Sequence, residues 1–133
     1  MPQLQNLVLT DRAATPVAHT YTPREVTRDQ VGVVVESTGV PIGDNRFQIG
    51  LRRTPEGRTK VAIKGVFPIV QTQTINGVSS PVVVRTAYCD ITFSFDGTSD
   101  EQERKNVVGL IYSALAPGAT LVNDTVTKLQ GVF

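Results

Sequence analysis

The 133-residue chain has one cysteine, one histidine, one methionine and no tryptophan. Cys89 alone cannot close an internal disulfide, and Cys89 with His19 cannot supply the clustered ligands of a structural zinc site. The two residues fall on different strand candidates with no motif around either, and the chain has no Gly-rich phosphate loop, paired-His motif or nucleophile elbow. Neither catalysis nor a metal or other cofactor is therefore expected. Charge of one sign is also lacking. Thirteen Lys and Arg against twelve Asp and Glu leave +1, so attraction to nucleic acid has to come from where the charges sit. No run approaches the roughly 18 apolar residues of a membrane span, and Asp11 and Arg12 follow only Leu7–Leu9, so neither insertion nor classical export is expected. What remains is 40% hydrophobic and 19% charged residues, an ordinary globular composition over the length of a single domain, 1–133.

Apolar and polar positions alternate through most of the first 95 residues, broken at short intervals by Pro, Gly, Asn and Asp, which predicts an antiparallel meander. Six strands are expected, near Gln5–Thr10, Val17–Thr22, Val31–Ser37, Arg46–Arg53, Thr59–Val70 and Val82–Phe95. Turn chemistry separates them at Thr15-Pro16, Gly39–Asn45, Pro55-Glu56-Gly57 and Asn76-Gly77, the last inside a polar loop from Gln71 to Pro81 that is longer than a hairpin needs. After Phe95 the period changes. Thr98 with Glu101, or Ser99 with Gln102, offers a capping box for a helix reaching about Ala116, with Val107, Leu110, Ile111, Ala114 and Leu115 as its apolar stripe. Pro117-Gly118 stops it, and a shorter helix is expected from about Thr120 to Gln130 with Gly131 as its C′ residue. Strands followed by two helices predict an α+β fold, with a hairpin and sheet to about residue 95 and two helices from about 98.

Successive side chains of a strand point to opposite faces, so parity sorts the sheet. Phe47, Ile49, Leu51, Val61, Ile63, Phe67, Cys89, Ile91, Phe93 and Phe95 fall on one face, with Cys89 read most simply as a core residue. Arg46, Gln48, Gly50, Arg52, Lys60, Ala62, Lys64, Val66, Tyr88, Asp90, Thr92 and Ser94 fall on the other. Six of the thirteen basic residues lie between Arg46 and Lys64 with only Glu56 opposing them, so a near-neutral protein acquires a basic face. An antiparallel sheet needs a solvated side in any case, and Lys or Arg there keeps it soluble. Tyr88 adds something solubility does not require: an aromatic ring beside cations is a stacking platform for unpaired RNA bases. Asp90 fits either of two roles, accepting a hydrogen bond from a base amino group or pairing with a neighbouring cation. The apolar face is broad and the helices short, so an interlocked homodimer is expected.

The stretch Gln71-Thr72-Gln73-Thr74-Ile75-Asn76-Gly77-Val78, then Pro81-Val82, then Ala87-Tyr88-Cys89-Asp90-Ile91-Thr92-Phe93-Ser94-Phe95, resembles the coat proteins of the small single-stranded RNA bacteriophages, the leviviruses. Leu4–Leu9, Val34–Pro41 and Leu129–Phe133 extend the resemblance over nearly the whole chain. It implies an N-terminal hairpin, a five-stranded antiparallel sheet and two C-terminal helices that interlock with those of a second subunit, seven strands where parity gives six. It also implies a ten-stranded dimer sheet facing the inside of an icosahedral shell of triangulation number three, assembled around viral genomic RNA in the cytoplasm of the bacterial host, with the helices outside. The same face would bind an operator hairpin, repress replicase translation and promote packaging into the virion. Matched position by position, RNA contact falls on Gln48, Gly50, Arg52, Arg58, Lys60, Ala62, Lys64, Tyr88 and Asp90, with Lys64 holding an adenine and Tyr88 stacking a base. Gln48, Gly50 and Ala62 stand where the family usually has short hydroxylated side chains. The loop formed by Gln71, Thr72, Gln73, Thr74, Asn76, Gly77 and Pro81 matches the one that contacts neighbouring dimers.

Overall fold

Period-two alternation becomes six antiparallel strands in a computed structural model that describes residues 2–133: β1 (Leu7–Thr10), β2 (Ala18–Val26), β3 (Val31–Glu36), β4 (Asn45–Arg53), β5 (Arg58–Ile75) and β6 (Val78–Asp96). They form one sheet in sequence order, and two helices follow, α1 (Glu101–Ala114) and α2 (Thr120–Thr127). The chain divides into two compact units, Met1–Ser94 and Phe95–Phe133. Among the described residues no helix is long and apolar enough to cross a membrane.

β2 does the work of two strands. Residues 18–21 pair with β1, and 22–26 pair with β3 with a register shift between Pro23 and Glu25. The resemblance divides hairpin and sheet into seven strands, whereas here one continuous strand serves both. Proline has no N–H for the ladder, and the shift beside it leaves Arg24 as the extra residue of a bulge.

β5 and β6 run further than the alternation indicates. The expected polar loop from Gln71 to Pro81 is strand except at its centre, where Asn76 and Gly77 at φ 53° and 76° make a two-residue turn. Two consecutive positive φ values match the twist of a hairpin, and Asn-Gly is the dipeptide that adopts them most easily. Thr74 Oγ1 lies 3.1 Å from Ser79 Oγ across the turn. The segment has no apolar alternation because all of residues 71–81 are exposed, so its strand character was hidden from a periodicity argument. At the other tip, the β4–β5 connection is closed as expected: Thr54 donates to the Arg58 carbonyl at 2.8 Å, with Gly57 at φ 82°.

The core of the sheet unit is small. Tyr21, Val33, Val34 and Val35 are the buried hydrophobic residues among those described, and the Tyr21 and Phe47 rings meet at 6.5 Å. β3 carries three consecutive buried valines because it lies inside the sheet and is covered on both faces. Beyond it, Phe47, Ile63, Phe67, Ile91 and Phe93 are only half-buried, Ile49 is 46% and Leu51 54% exposed, and Cys89 is exposed instead of lying in a core. Cys89 is on the apolar parity, but one chain does not cover that face.

Both helices form where expected, with different ends. The N-cap of α1 is Asp100, whose carboxylate accepts the Glu103 N–H at 2.8 Å. Neither expected capping-box register forms, because Thr98 and Ser99 are engaged in the preceding turn, donating to Asp96 Oδ1 at 2.8 Å and to the Asp96 carbonyl at 2.7 Å. α2 stops at Thr127, and Leu129 at φ 55° takes the left-handed position assigned to Gly131 from sequence. Lys105 with Glu101 at 3.5 Å and Lys128 with Asp124 at 3.2 Å are exposed (i, i+4) pairs on the two helices. Neither helix buries a residue, and Leu110, Ile111, Leu115, Leu121 and Val126 are exposed apolar side chains.

Candidate nucleic-acid interface

The β4–β5 register decides which side chains meet. Gln48 pairs with Lys64, Gly50 with Ala62 and Arg52 with Lys60, while Ile49 pairs with Ile63 and Leu51 with Val61 on the opposite face. β3 adds Val31 opposite Gly50, Val33 opposite Gln48 and Val35 opposite Arg46. On this face β3 thus sets valines beside the long polar and basic side chains of β4 and β5. Gly50 suits the close approach of β3, since a Cβ there would sit 2.9 Å from Cγ2 of Val31, which would have to shift.

A shallow concavity of about 660 Å³ opens on this face. Of the residues singled out from sequence, Gln48, Gly50, Arg52, Lys60, Ala62, Lys64 and Asp90 line it together. Tyr88 stands apart from them in a neighbouring concavity of about 300 Å³, with Arg24, Arg46 and Thr86, and its ring is 78% exposed. Arg58 is held at the end of the face, donating from Nε to Ser94 Oγ at 2.9 Å and from a terminal nitrogen to the Ser94 carbonyl at 3.2 Å. The hairpin positions Gln71, Thr72, Gln73, Thr74, Asn76, Gly77 and Pro81 are exposed and line neither concavity.

Asp29, Val31, Thr92 and Arg24 were not singled out from sequence. Asp29 reaches the rim through the β2–β3 turn, where Gln30 at φ 61° donates to the Thr27 carbonyl at 2.9 Å and Val31 donates to Thr27 Oγ1 at 3.2 Å. Thr27-Arg28-Asp29 is turn chemistry in the sequence, but its position beside the concavity follows from pairing. Arg24 lines the second concavity from the bulge beside Pro23.

Arg52 and Lys60 are direct cross-strand partners of the same charge, an arrangement that destabilises a sheet. Among the described residues, no carboxylate ion-pairs with Arg52, Lys60 or Lys64. Three cations held on one side of a rigid sheet, two of them directly opposed, are suited to neutralising a polyanion. Asp29 and Asp90 at the rim offer acceptors that would repel phosphate and suit amino groups.

The levivirus coat protein family model matches residues 2–133. The capsid protein of Pseudomonas phage PRR1 is 56% identical over 131 residues, covering 98% of this chain and 99% of that protein. The virus-like particle of bacteriophage NT-214 superposes at a TM-score of 0.85 with 23% identity, over 99% of this chain and 100% of that one. An unassembled bacteriophage coat protein, described as an RNA-binding dimer, matches at 0.58 with 16% identity over 98% of each chain. The likeness to these two structures shows the fold alone, and the family match and the PRR1 relative show the family. The chain belongs to the levivirus coat protein family: it is a capsid protein, a structural component of the virion and not an enzyme.

Proposed function

We propose that the protein is a homodimer, that dimers assemble into an icosahedral shell of triangulation number three around genomic RNA, and that the basic sheet face binds an operator hairpin. That binding represses replicase translation and promotes packaging in the cytoplasm of the bacterial host. The observation that carries the RNA reading is the gathering of Arg52, Lys60 and Lys64 around one concavity without carboxylate partners, next to the exposed ring of Tyr88. Cations position the backbone, Tyr88 stacks a loop base and Asp90 accepts from a base amino group. With Gly50 and Ala62 providing no hydroxyl, polar contacts to a base in this concavity come from Gln48, Lys64, Asp90 and Thr92.

The dimer reading is supported by the exposed apolar face of β4–β6 and by two helices that bury nothing within one chain. A twofold-related copy covers both, with residues 1–133 acting as one coat-protein domain. Arg58 and the hairpin from Gln71 to Pro81 complete the assignment, the first as a backbone contact at the end of the basic face and the second as a contact between dimers. The relatives described as a virus-like particle and as an RNA-binding dimer agree with this reading.

Electron microscopy and analytical ultracentrifugation of the purified protein, with a binding titration against the viral hairpin, test it. The expected result is dimers and very large RNA-containing particles, and saturable hairpin binding. A protein that binds RNA but remains a small oligomer would instead be a regulatory RNA-binding module.

A further inference from the structure

His19 lies where three segments of the sheet unit meet. On β2 it is the cross-strand partner of Leu9 in β1, and its ring stands between two carboxylates. Nε2 is 2.7 Å from Oδ2 of Asp11, in the connection leaving β1, and Nδ1 is 2.7 Å from Oε2 of Glu36, at the end of β3. The other oxygens are also engaged. Asp11 Oδ1 accepts the N–H groups of Ala13 at 3.1 Å and Val17 at 3.0 Å, and Glu36 Oε1 accepts from Asn45 Nδ2 at 2.8 Å, at the start of β4.

A neutral imidazole has one N–H. Its other nitrogen would turn a lone pair toward a carboxylate oxygen at 2.7 Å, so only the imidazolium satisfies both contacts. The titratable groups facing the ring are Asp11 from the β1–β2 connection and Glu36 from β3. Tyr21, further along β2, has its phenol pushed up by burial and then by the Glu36 charge, and Asn45 is the uncharged neighbour from β4.

Hydrogen bonds to Asp11 and then Glu36 hold His19 above its ordinary 6.5, against partial desolvation. The bond to His19, followed by the N–H groups of Val17 and Ala13, holds Asp11 at about 2, below its ordinary 3.8. For His19 the raised folded value means its contribution is complete below 6.5 and lost as pH rises through that raised value. For Asp11 the contribution is complete above 3.8 and lost as pH falls through about 2.

We propose that His19 is a proton-operated clamp: as imidazolium it fastens the β1–β2 connection to the β3–β4 end of the sheet, and deprotonation releases residues 11–17 while the rest of the sheet stays folded. Release is local because residues 12–17 are all exposed: once the ring lets go of Asp11, the connection keeps only its own water-exposed bonds, from the Ala13 and Val17 N–H groups to Asp11 Oδ1 and from the Asp11 N–H to the Val17 carbonyl at 3.0 Å. The buried residues Val33, Val34 and Val35 take no part in these bonds.

Hydrogen exchange read by mass spectrometry on the intact protein, in whatever assembly it adopts, measures both sides of the proposal. The protein has one histidine, so exchange at the imidazole Cε1–H reports a single titration. Amide exchange over residues 11–19, corrected for intrinsic rates, reports the clamp from about pH 5 to about pH 9. Linkage requires the two to agree: protection should fall about tenfold for each pH unit by which the measured His19 value exceeds 6.5. His19→Gln and Asp11→Asn should show low, pH-independent protection in this segment and parental protection in β3. A His19 value at or below 6.5, pH-independent protection in the parent, or full protection in His19→Gln would overturn the clamp. If neither variant folds, the two parental profiles decide the matter between them.

Discussion

Replacing Arg52 or Lys60 with Ala should weaken RNA binding and stabilise the RNA-free protein at the same time. The two side chains are directly paired across β4 and β5, and opposed like charges cost a sheet roughly 0.2–1 kcal/mol. Removing either charge should return about that much in chemical denaturation, at the lower end because both side chains reach solvent. The gain should vanish near 1 M salt, where the screening length falls to about 3 Å. On the RNA side, each phosphate contact contributes about 0.7–0.9 to the slope of log K against log salt. Losing one contact should flatten the slope by that amount and weaken binding about sixfold at roughly 0.1 M salt, close to 1 kcal/mol. The assays are filter binding to the hairpin over a salt series and denaturation of the RNA-free protein at low and high salt. An unchanged slope would refute the assignment of these cations to phosphate, and a variant less stable than the parent at low salt would refute the repulsion argument.

Tyr88→Ala should lose roughly 1–3 kcal/mol of hairpin affinity with little change in the salt slope, because stacking releases no counterions; its ring is 78% exposed, so folding should be unaffected. Ile111→Asp or Leu115→Asp, at positions 40% and 52% exposed within one chain, should abolish the folded dimer, because a partner subunit would bury the charge; folded native monomer of the parent at micromolar concentration in the ultracentrifuge would contradict this. Replacing Asn76-Gly77 with Ala-Ala forces two non-glycine residues to positive φ at roughly 1–2 kcal/mol each, and should reduce particle yield or stability more than hairpin affinity. Normal particles of normal stability from that variant would make the hairpin a connector and not a contact between dimers.

The two faces of β4 and β5 were legible because a period of two is a direct consequence of strand geometry, and the register pairs Gln48, Gly50 and Arg52 with Lys64, Ala62 and Lys60 as parity requires. The extent of β5 and β6 was not, because a strand exposed on both faces carries no alternation to detect. Helix ends shifted for local reasons: Asp96 engages the hydroxyls that were candidates for the cap, and Leu129 accepts a left-handed backbone where glycine was expected. The sequence could not place Asp29 and Arg24 at the site, since a turn and a bulge bring them there. Nor could it join His19, Asp11 and Glu36, which lie on three segments and meet only through strand pairing.

RNA is expected to occupy the face bearing Arg52, Lys60, Lys64 and Tyr88 in the assembled protein. Ultraviolet cross-linking of RNA in purified particles, followed by mass spectrometry of the linked peptides, tests it most directly. Cross-links should concentrate on peptides containing polar-face residues of β4, β5 and β6, Tyr88 foremost, and should be sparse on α1 and α2. Cross-links concentrated on the helices, with the peptides of the basic face unmodified, would put the RNA on a different surface.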